Sequence, residues 1–217
     1  MHIDHNSYGS VALAYIIGAV AIILFRLLFR SPWLFWPLTV LVLMILVWQT
    51  MFFRVPQREK AGSGHIVTAV ADGRIVINEK VFEPEFLQRD CIQVSIYMDF
   101  FDVHANFWPV TGEVTYCQYH PGKHKLAFLP KSSDLNEHAT TAIRTPEGKE
   151  LLFKQIAGTF ARRVVSYSKP GLQVRAGEQC GIIKLGSRID FFLPIDADIK
   201  VDEGDIVRAC ETVIAEL

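Results

Sequence analysis

The sequence predicts a mainly β (β-rich α+β) soluble domain preceded by an N-terminal hairpin of two hydrophobic helices. Three features carry that expectation. No acidic residue occurs from His5 to Phe53, where most positions are aliphatic or aromatic. Beyond Arg54 charges of both signs return, and β-branched runs are cut by Gly, Asp or Pro. The length of 217 residues holds one ordinary domain plus a short appendage.

Half of the residues are hydrophobic, and the mean hydropathy of +0.23 is high for a purely soluble chain. The formal net charge is −1, and no basic run is interleaved with aromatics, so no nucleic-acid partner is expected. Cys91, Cys117, Cys180 and Cys210 are scattered without a CxxC pair. They read as small buried residues of a reduced compartment rather than a disulfide framework or a zinc site, and no metal is expected.

Val11 to Phe25 runs 15 residues before Arg26, and the stretch reaches Phe29 if that arginine snorkels. Trp33 to Phe53 is 21 residues without a charge. At about 1.5 Å per residue that is enough to cross a hydrocarbon core of about 30 Å. Ser31 and Pro32 suit the N-cap and first turn of the second helix. Trp33, Trp36 and Trp48 lie towards its ends, as interfacial aromatics do. Residues 1–53 are therefore expected to be a membrane anchor and 54–217 the globular domain. A cleaved signal peptide fits poorly, because the apolar region is long, doubled and lacks a small-residue cleavage site; a buried core hairpin is the plainer alternative. Arg54, Arg58 and Lys60 argue for a globular domain on the cytoplasmic face of the inner (cell) membrane. Arg26 and Arg30 argue for placing the connector on that side too. Two full spans cannot satisfy both. Either the first segment is shallow or re-entrant, or the two arginines sit among lipid phosphates on the far side.

In the globular part, 66–69, 73–78, 92–97 and 181–184 read as strands, with turn signals at Asp72-Gly73 and Pro121-Gly122. Residues 155–167 fit a strand or a short helix. The C-terminal stretch 200–217 pairs a Glu-Gly-Asp turn with apolar alternation. It resembles the closing strands of biotinyl and lipoyl carrier domains, so barrel-sandwich-hybrid-like strands are expected.

Three motifs carry chemistry. In 185–190 (LGSRID) the Gly-Ser pair is either a plain turn or a self-cleavage site. The serine hydroxyl can attack the carbonyl before it, and a glycine there leaves that carbonyl unhindered. The resulting ester can undergo β-elimination to dehydroalanine, which hydrolyses to a pyruvoyl group at a new N-terminus. In 68–76 (TAVADGRIV), Asp72-Gly73 reads as a type I′ hairpin turn, or Asp72 orients a catalytic partner. In 99–112 (DFFDVHANFWPVTG), Asp102 and His104 at i and i+2 of an extended segment share a face. His104 is either a hydrogen-bonded structural residue or a proton-transfer group near neutrality. His120 and His124 would suit a metal on a helix, but Pro121-Gly122 forbids one, so they are expected in a loop. Ser166 and Ser187 lack the G-x-S-x-G elbow of a hydrolase nucleophile.

Taken in order, 52–58 (FFRVPQR), 69–73 (AVADG), 102–110 (DVHANFWPV), 129–133 (LPKSS), 155–163 (QIAGTFARR) and 185–190 (LGSRID) resemble the phosphatidylserine decarboxylase family, in its short bacterial membrane-anchored branch. The similarity runs from about Phe52 to Leu217. It implies Ser187 as the pyruvoyl precursor, Gly186 as the new C-terminus of the larger chain, and Asp72 as the aspartate supporting self-processing. His104 matches the first histidine of the family motif. The larger members carry a second histidine where this chain has Phe107, so the processing base stays open between His104 and Asp72 acting through water.

The resemblance further implies a β chain, 1–186, paired with a 31-residue α chain, 187–217, as a heterodimer, with further oligomerisation open. The covalent pyruvoyl cofactor would form a Schiff base with phosphatidylserine, lose carbon dioxide and release phosphatidylethanolamine, with His104 donating the proton. Arg162, Arg163 and Lys184 are candidate contacts for the lipid phosphate, or a solvated face. Two other readings stand beside this one: a membrane-tethered, non-enzymatic barrel-sandwich scaffold, and a pyruvoyl decarboxylase of another amino-carboxylate lipid. A membrane serine hydrolase is the weakest alternative.

Overall fold

The computed structural model describes residues 1–62, 64–123, 136–158, 163–184 and 187–217. It separates into two units, Met1–Pro56 and Gln57–Leu217. The first unit contains α1 (Tyr8–Leu28) and α2 (Pro32–Phe52). Both are long and apolar enough to cross a membrane, and only 6% and 11% of their most apolar windows are buried, so neither is a core helix. Ser31 is extended at the start of α2, and its carbonyl accepts the N–H groups of Leu34 and Phe35 at 3.3 and 3.2 Å. Pro32 fills the first turn, where a missing N–H costs nothing. Tyr15 Oη and Thr50 Oγ1, 2.9 Å apart, link the helices. The short strands β1 (His2–Ile3) and β2 (Arg54–Val55) pair the two ends of this unit.

The second unit is β-rich. Its strands are β3 (Ile66–Thr68), β4 (Gly73–Glu83), β5 (Arg89–Met98), β6 (Ala105–Phe107), β7 (Gly112–His120), β8 (His138–Arg144) and β9 (Glu150–Ala157). They continue with β10 (Val164–Ser166), β11 (Gln173–Val174), β12 (Gln179–Ile183), β13 (Ser187–Pro194), β14 (Asp198–Ile199), β15 (Ile206–Val207) and β16 (Val213–Glu216). The main curled sheet runs β11-β7-β8-β9-β13-β5-β4-β15, with small sheets β10-β12-β6 and β14-β16-β3. The expected strands at 66–69, 73–78, 92–97 and 181–184 are present. Residues 155–157 and 164–166 are strand, so the described part of 155–167 is extended rather than helical.

Two turn expectations are corrected. The runs before and after Asp72-Gly73 do not pair with each other: β3 pairs with β16, and β4 with β5 and β15. The segment is a crossover, not a type I′ hairpin. A Cβ on Gly73 would lie 2.2 Å from the Tyr97 carbonyl oxygen, so glycine is needed there for close backbone approach. His120 is the last residue of β7 rather than a loop residue, and it faces His138 across the ladder. His124 lies outside the described residues.

β13 pairs antiparallel with β5 on one side and β9 on the other, and all eight of its residues are buried. Strand alternation sends Ser187, Ile189, Phe191 and Leu193 to one face and Arg188, Asp190 and Phe192 to the other. The first face meets the main core, where Ile96, Val94, Phe153 and Trp108 pack. On the second, Arg188 and Asp190 are fully buried and joined by two hydrogen bonds, Nε–Oδ1 at 2.6 Å and the second guanidinium nitrogen to Oδ2 at 2.8 Å. Removing one member of such a pair strands a charge, whereas replacing both by apolar groups is far milder. Asp190→Ala is therefore expected to destabilise the fold by about 3–5 kcal/mol, and the double change Arg188→Met/Asp190→Leu to recover most of it. Thermal denaturation of the purified protein in detergent checks this.

Candidate active site

Ser187 opens β13, opposite Met98 of β5 and Ala157 of β9. It is fully buried, and its hydroxyl donates to the Met98 thioether sulfur at 3.0 Å. A thioether is a weak acceptor, so this hydroxyl is desolvated without being held by a strong partner. Gly186 and Leu185 lie outside the described residues, as do Arg162 and the 129–133 block.

His104 is also fully buried, just before β6. Its carbonyl accepts Ile183 N–H at 3.2 Å, which ties it to the end of β12, four residues upstream of Ser187. Its Nδ1 lies 3.0 Å from the Asp102 carbonyl oxygen. A carbonyl only accepts, so in the neutral ring Nδ1 carries the proton and Nε2 the lone pair. The Asp102 carboxylate accepts Asp99 N–H at 2.7 Å. Asp102 thus sits in a bend capped by its own carboxylate, rather than in the extended segment the sequence suggests.

Asp72 is buried, and both its oxygens are taken by Arg58; one bond is 2.8 Å, and Oδ1 also accepts Ala209 N–H at 2.9 Å. The hydrogen bond to Asp72 raises the Arg58 pKa above its ordinary value, against burial, which lowers it. The Asp72 carboxylate is thus engaged by Arg58 and Ala209 rather than by His104 or Ser187. Its segment is nevertheless part of the same neighbourhood, because Val70 O accepts Phe107 N–H at 2.9 Å and Gly73 packs on Tyr97, next to Met98. Arg163 is exposed and Lys184 half-buried, with Lys184 N–H donating to Arg163 O at 3.2 Å. Arg163 lines a cleft of about 480 Å³ with Gln118, Thr140 and Ser168; Ser187, His104 and Asp72 do not line it.

Two residues of this region escaped the sequence reading as individuals, although Asn106 lies in DVHANFWPV and Gln155 opens QIAGTFARR. Asn106 and Gln155 are fully buried, with Gln155 Nε2 donating to Asn106 Oδ1 at 2.8 Å. Among the described residues, Asn106 Nδ2 and Gln155 Oε1 have no hydrogen-bond partner. Buried polar atoms left unsatisfied are expensive and cluster where a ligand or a reaction completes them. Gln155 stands opposite Ile189, on the core face that Ser187 shares, one step along β13. Asn106 follows His104 by two positions on an extended segment. Gly181 makes the approach of these elements feasible: a Cβ there would sit 2.4 Å from Val165 O and 2.7 Å from Gln155 Nε2. A pyruvoyl group in place of Ser187 adds no bulk, and the core face that Ser187 shares with Gln155 also carries, through the Gln155–Asn106 bond, an amide donor without an acceptor among the described residues. The residues present fit such a group.

A second cluster lies on the opposite face of the sheet. Glu85, His120 and His138 bring ligand atoms within 4.8 Å of one another. The two rings stack at 4.4 Å and 20°. A metal must lie in the plane of each imidazole it binds, and near-parallel planes do not converge on one point. Lys154 Nζ lies 2.7 Å from Glu85 Oε2 and already supplies the cation there. Burial pushes the Glu85 carboxyl up, but hydrogen bonds from Lys154, His120 and Thr140 outweigh it and hold its pKa at about 2. Burial lowers the His138 pKa below its ordinary 6.5. As pH falls through 6.5 the unfolded chain gains a proton at His138 that the folded chain takes up only at lower pH, so stability declines. Glu85 contributes stability that is full above 4.5 and lost as pH falls towards about 2. Melting temperatures against pH are expected to show both declines, and His138→Gln to flatten the upper one between about pH 7 and 5 while leaving the lower one.

Comparison with known proteins identifies the family. A family model described as phosphatidylserine decarboxylase matches residues 45–215. A phosphatidylserine decarboxylase proenzyme of Phocaeicola vulgatus is 37% identical over 219 aligned residues, covering 100% of this chain and 95% of that one. Proteins of the same name from Parabacteroides distasonis and Amoebophilus asiaticus are 43% and 42% identical, covering 82% and 79% of this chain and 80% and 76% of theirs. With the match spanning the anchor exit, the buried serine strand and the closing strands, the chain belongs to the phosphatidylserine decarboxylase family.

Proposed function

We propose that this protein is a membrane-associated proenzyme that cleaves itself between Gly186 and Ser187 and then decarboxylates phosphatidylserine to phosphatidylethanolamine. The observation that carries the proposal is Ser187: a fully buried hydroxyl, resting on a thioether, at the start of a strand paired on both edges. Ser187 Oγ attacks the Gly186 carbonyl and takes its acyl group from nitrogen; β-elimination releases Gly186 as a carboxylate, and one water hydrolyses the remaining dehydroalanine, expelling ammonia and leaving the 31-residue segment 187–217 with a blocked N-terminus. The pyruvoyl group formed there supplies a carbonyl electron sink for the loss of carbon dioxide.

The surrounding residues hold and move protons. His104, oriented by the Asp102 carbonyl, presents Nε2 as the base when neutral and as the proton donor when charged. Asn106 Nδ2 offers a donor to developing negative charge, and a donor of this kind is worth most in a site closed to water. Asp72 acts as a positioning residue through Arg58, fixing the crossover that runs past β5 and β6. The amino-lipid substrate comes from the bilayer, on which the two apolar helices hold the chain. The reading places residues 54–217 at the cytoplasmic face of the inner membrane, with Arg162, Arg163 and Lys184 available to the lipid phosphate.

Intact mass of the purified protein is expected to show two fragments dividing at Gly186, the smaller about 17 Da lighter than one starting with serine, the loss of one ammonia. Ser187→Ala is expected to run as one uncut chain; fragments from that variant would overturn the assignment. His104→Ala is expected to lower turnover of processed enzyme by about 10²–10⁴-fold, the usual worth of a proton-transfer group. Should His104 also serve as the processing base, mass spectrometry of the same variant will show the uncut chain.

A further inference from the structure

We infer that the turn between β5 and β6 inserts Phe100 and Phe101 into the lipid surface, making it a second, local membrane contact beside the active site. Phe101 is 75% exposed and Phe100 39%, with rings 6.4 Å apart and edge to face. Among the described residues of the catalytic unit, Phe82 and Tyr119 are other exposed aromatics, at 58% and 52%, but neither has an aromatic neighbour in sequence as exposed as Phe101. The turn is held in shape by its own acids: Asp102 Oδ2 accepts Asp99 N–H at 2.7 Å, Asp102 N–H reaches Asp99 O at 3.1 Å, and Asp99 Oδ1 accepts Phe100 N–H at 2.6 Å. A closed turn presenting two rings loses little side-chain freedom when those rings are buried.

The occupant follows from position. The turn begins directly after Met98, which holds the Ser187 hydroxyl, and ends two residues before His104. The chain also carries two membrane-length helices, so a bilayer is always within tether reach. A soluble substrate gives no reason to expose two phenylalanines on the segment joining Met98 to His104; a phospholipid, whose head must enter while its tails stay in the bilayer, does. Asp99 and Asp102 flank the rings and Asp99 is exposed, so contact rests on ring burial rather than on attraction to anionic lipid. This inference rests on the proposed function for its substrate, but not for its test.

The full-length protein carrying Trp33→Phe, Trp36→Phe and Trp48→Phe retains Trp108, which is 3% exposed and serves as an internal reference. Phe101→Trp added to that background is reconstituted in phosphatidylcholine/phosphatidylserine vesicles with or without acyl-brominated phosphatidylcholine. Emission from position 101 is expected to fall about twofold or more with the brominated lipid, as for aromatics at the membrane interface. Quenching no greater than that of the parent, which keeps Phe101, overturns the inference. In the otherwise native protein, Phe101→Ser is expected to lower kcat/KM on bilayer phosphatidylserine about tenfold while sparing a water-soluble short-chain phosphatidylserine. Equal loss on both substrates, or no loss on the bilayer, also overturns it. If the native protein decarboxylates neither substrate, the proposed function falls, and quenching alone decides whether the turn meets lipid.

Discussion

Strand β13 must be paired along both edges and buried on both faces, and the catalytic unit is arranged around that demand. Its core face carries Ile189, Phe191 and Leu193 into the main apolar cluster; on its other face the buried Arg188 meets Asp190 two positions on. A spacing of two is the shortest that puts side chains of one strand on the same face. So the Ser-Arg-Ile-Asp run combines a buried hydroxyl, an apolar anchor and a buried ion pair in one extended segment. The position of Ser187 is thereby fixed by the sheet and not by a loop, the more rigid of the two ways to hold a reacting atom.

The remaining groups converge from segments far apart in the chain. Arg58 lies at the start of the unit, Asp72 in the crossover before β4, Met98 at the end of β5, His104 and Asn106 around β6, and Gln155 in β9. Backbone bonds from Phe107 to Val70 and from Ile183 to His104 draw these segments together. The half-satisfied Asn106–Gln155 pair is costly for folding alone, and stability given up for function is the usual trade in evolved proteins.

Much of this was legible in the sequence. The apolar helices free of acidic residues, the Ser31-Pro32 start and the β-branched strands follow from local chemistry, because each depends on neighbours a few positions away. The role proposed for Ser187 came from the order of six short motifs and not from spacing, since a Gly-Ser pair alone is indistinguishable from a turn. What was missed depended on distant partners. Asp72-Gly73 has the composition of a hairpin turn, but β3 finds β16 and β4 finds β5, a choice made by burial across the whole unit. His120 reads as a loop residue because a proline follows it, yet the strand simply ends there, and its meeting with His138 and Glu85 is set by register. Arg58 stood out only for its charge near the anchor, and nothing nearby in sequence announces its partner Asp72.

The C-terminal 31 residues enter two separate sheets: β13 at the middle of the large sheet, β15 at its edge beside β4, and β14 with β16 against β3. Under the proposed cut, that segment becomes a separate molecule woven through the other. Before the cut, folding is a unimolecular search whose partners are held at high effective concentration by the chain; afterwards, unfolding releases two bodies, and reassembly depends on protein concentration. On that proposal folding precedes cleavage, and the mature protein would persist because interlaced strands are slow to separate, a matter of kinetics more than of equilibrium. Each molecule would pass once through a ratchet: built as one chain, and thereafter beyond easy repair.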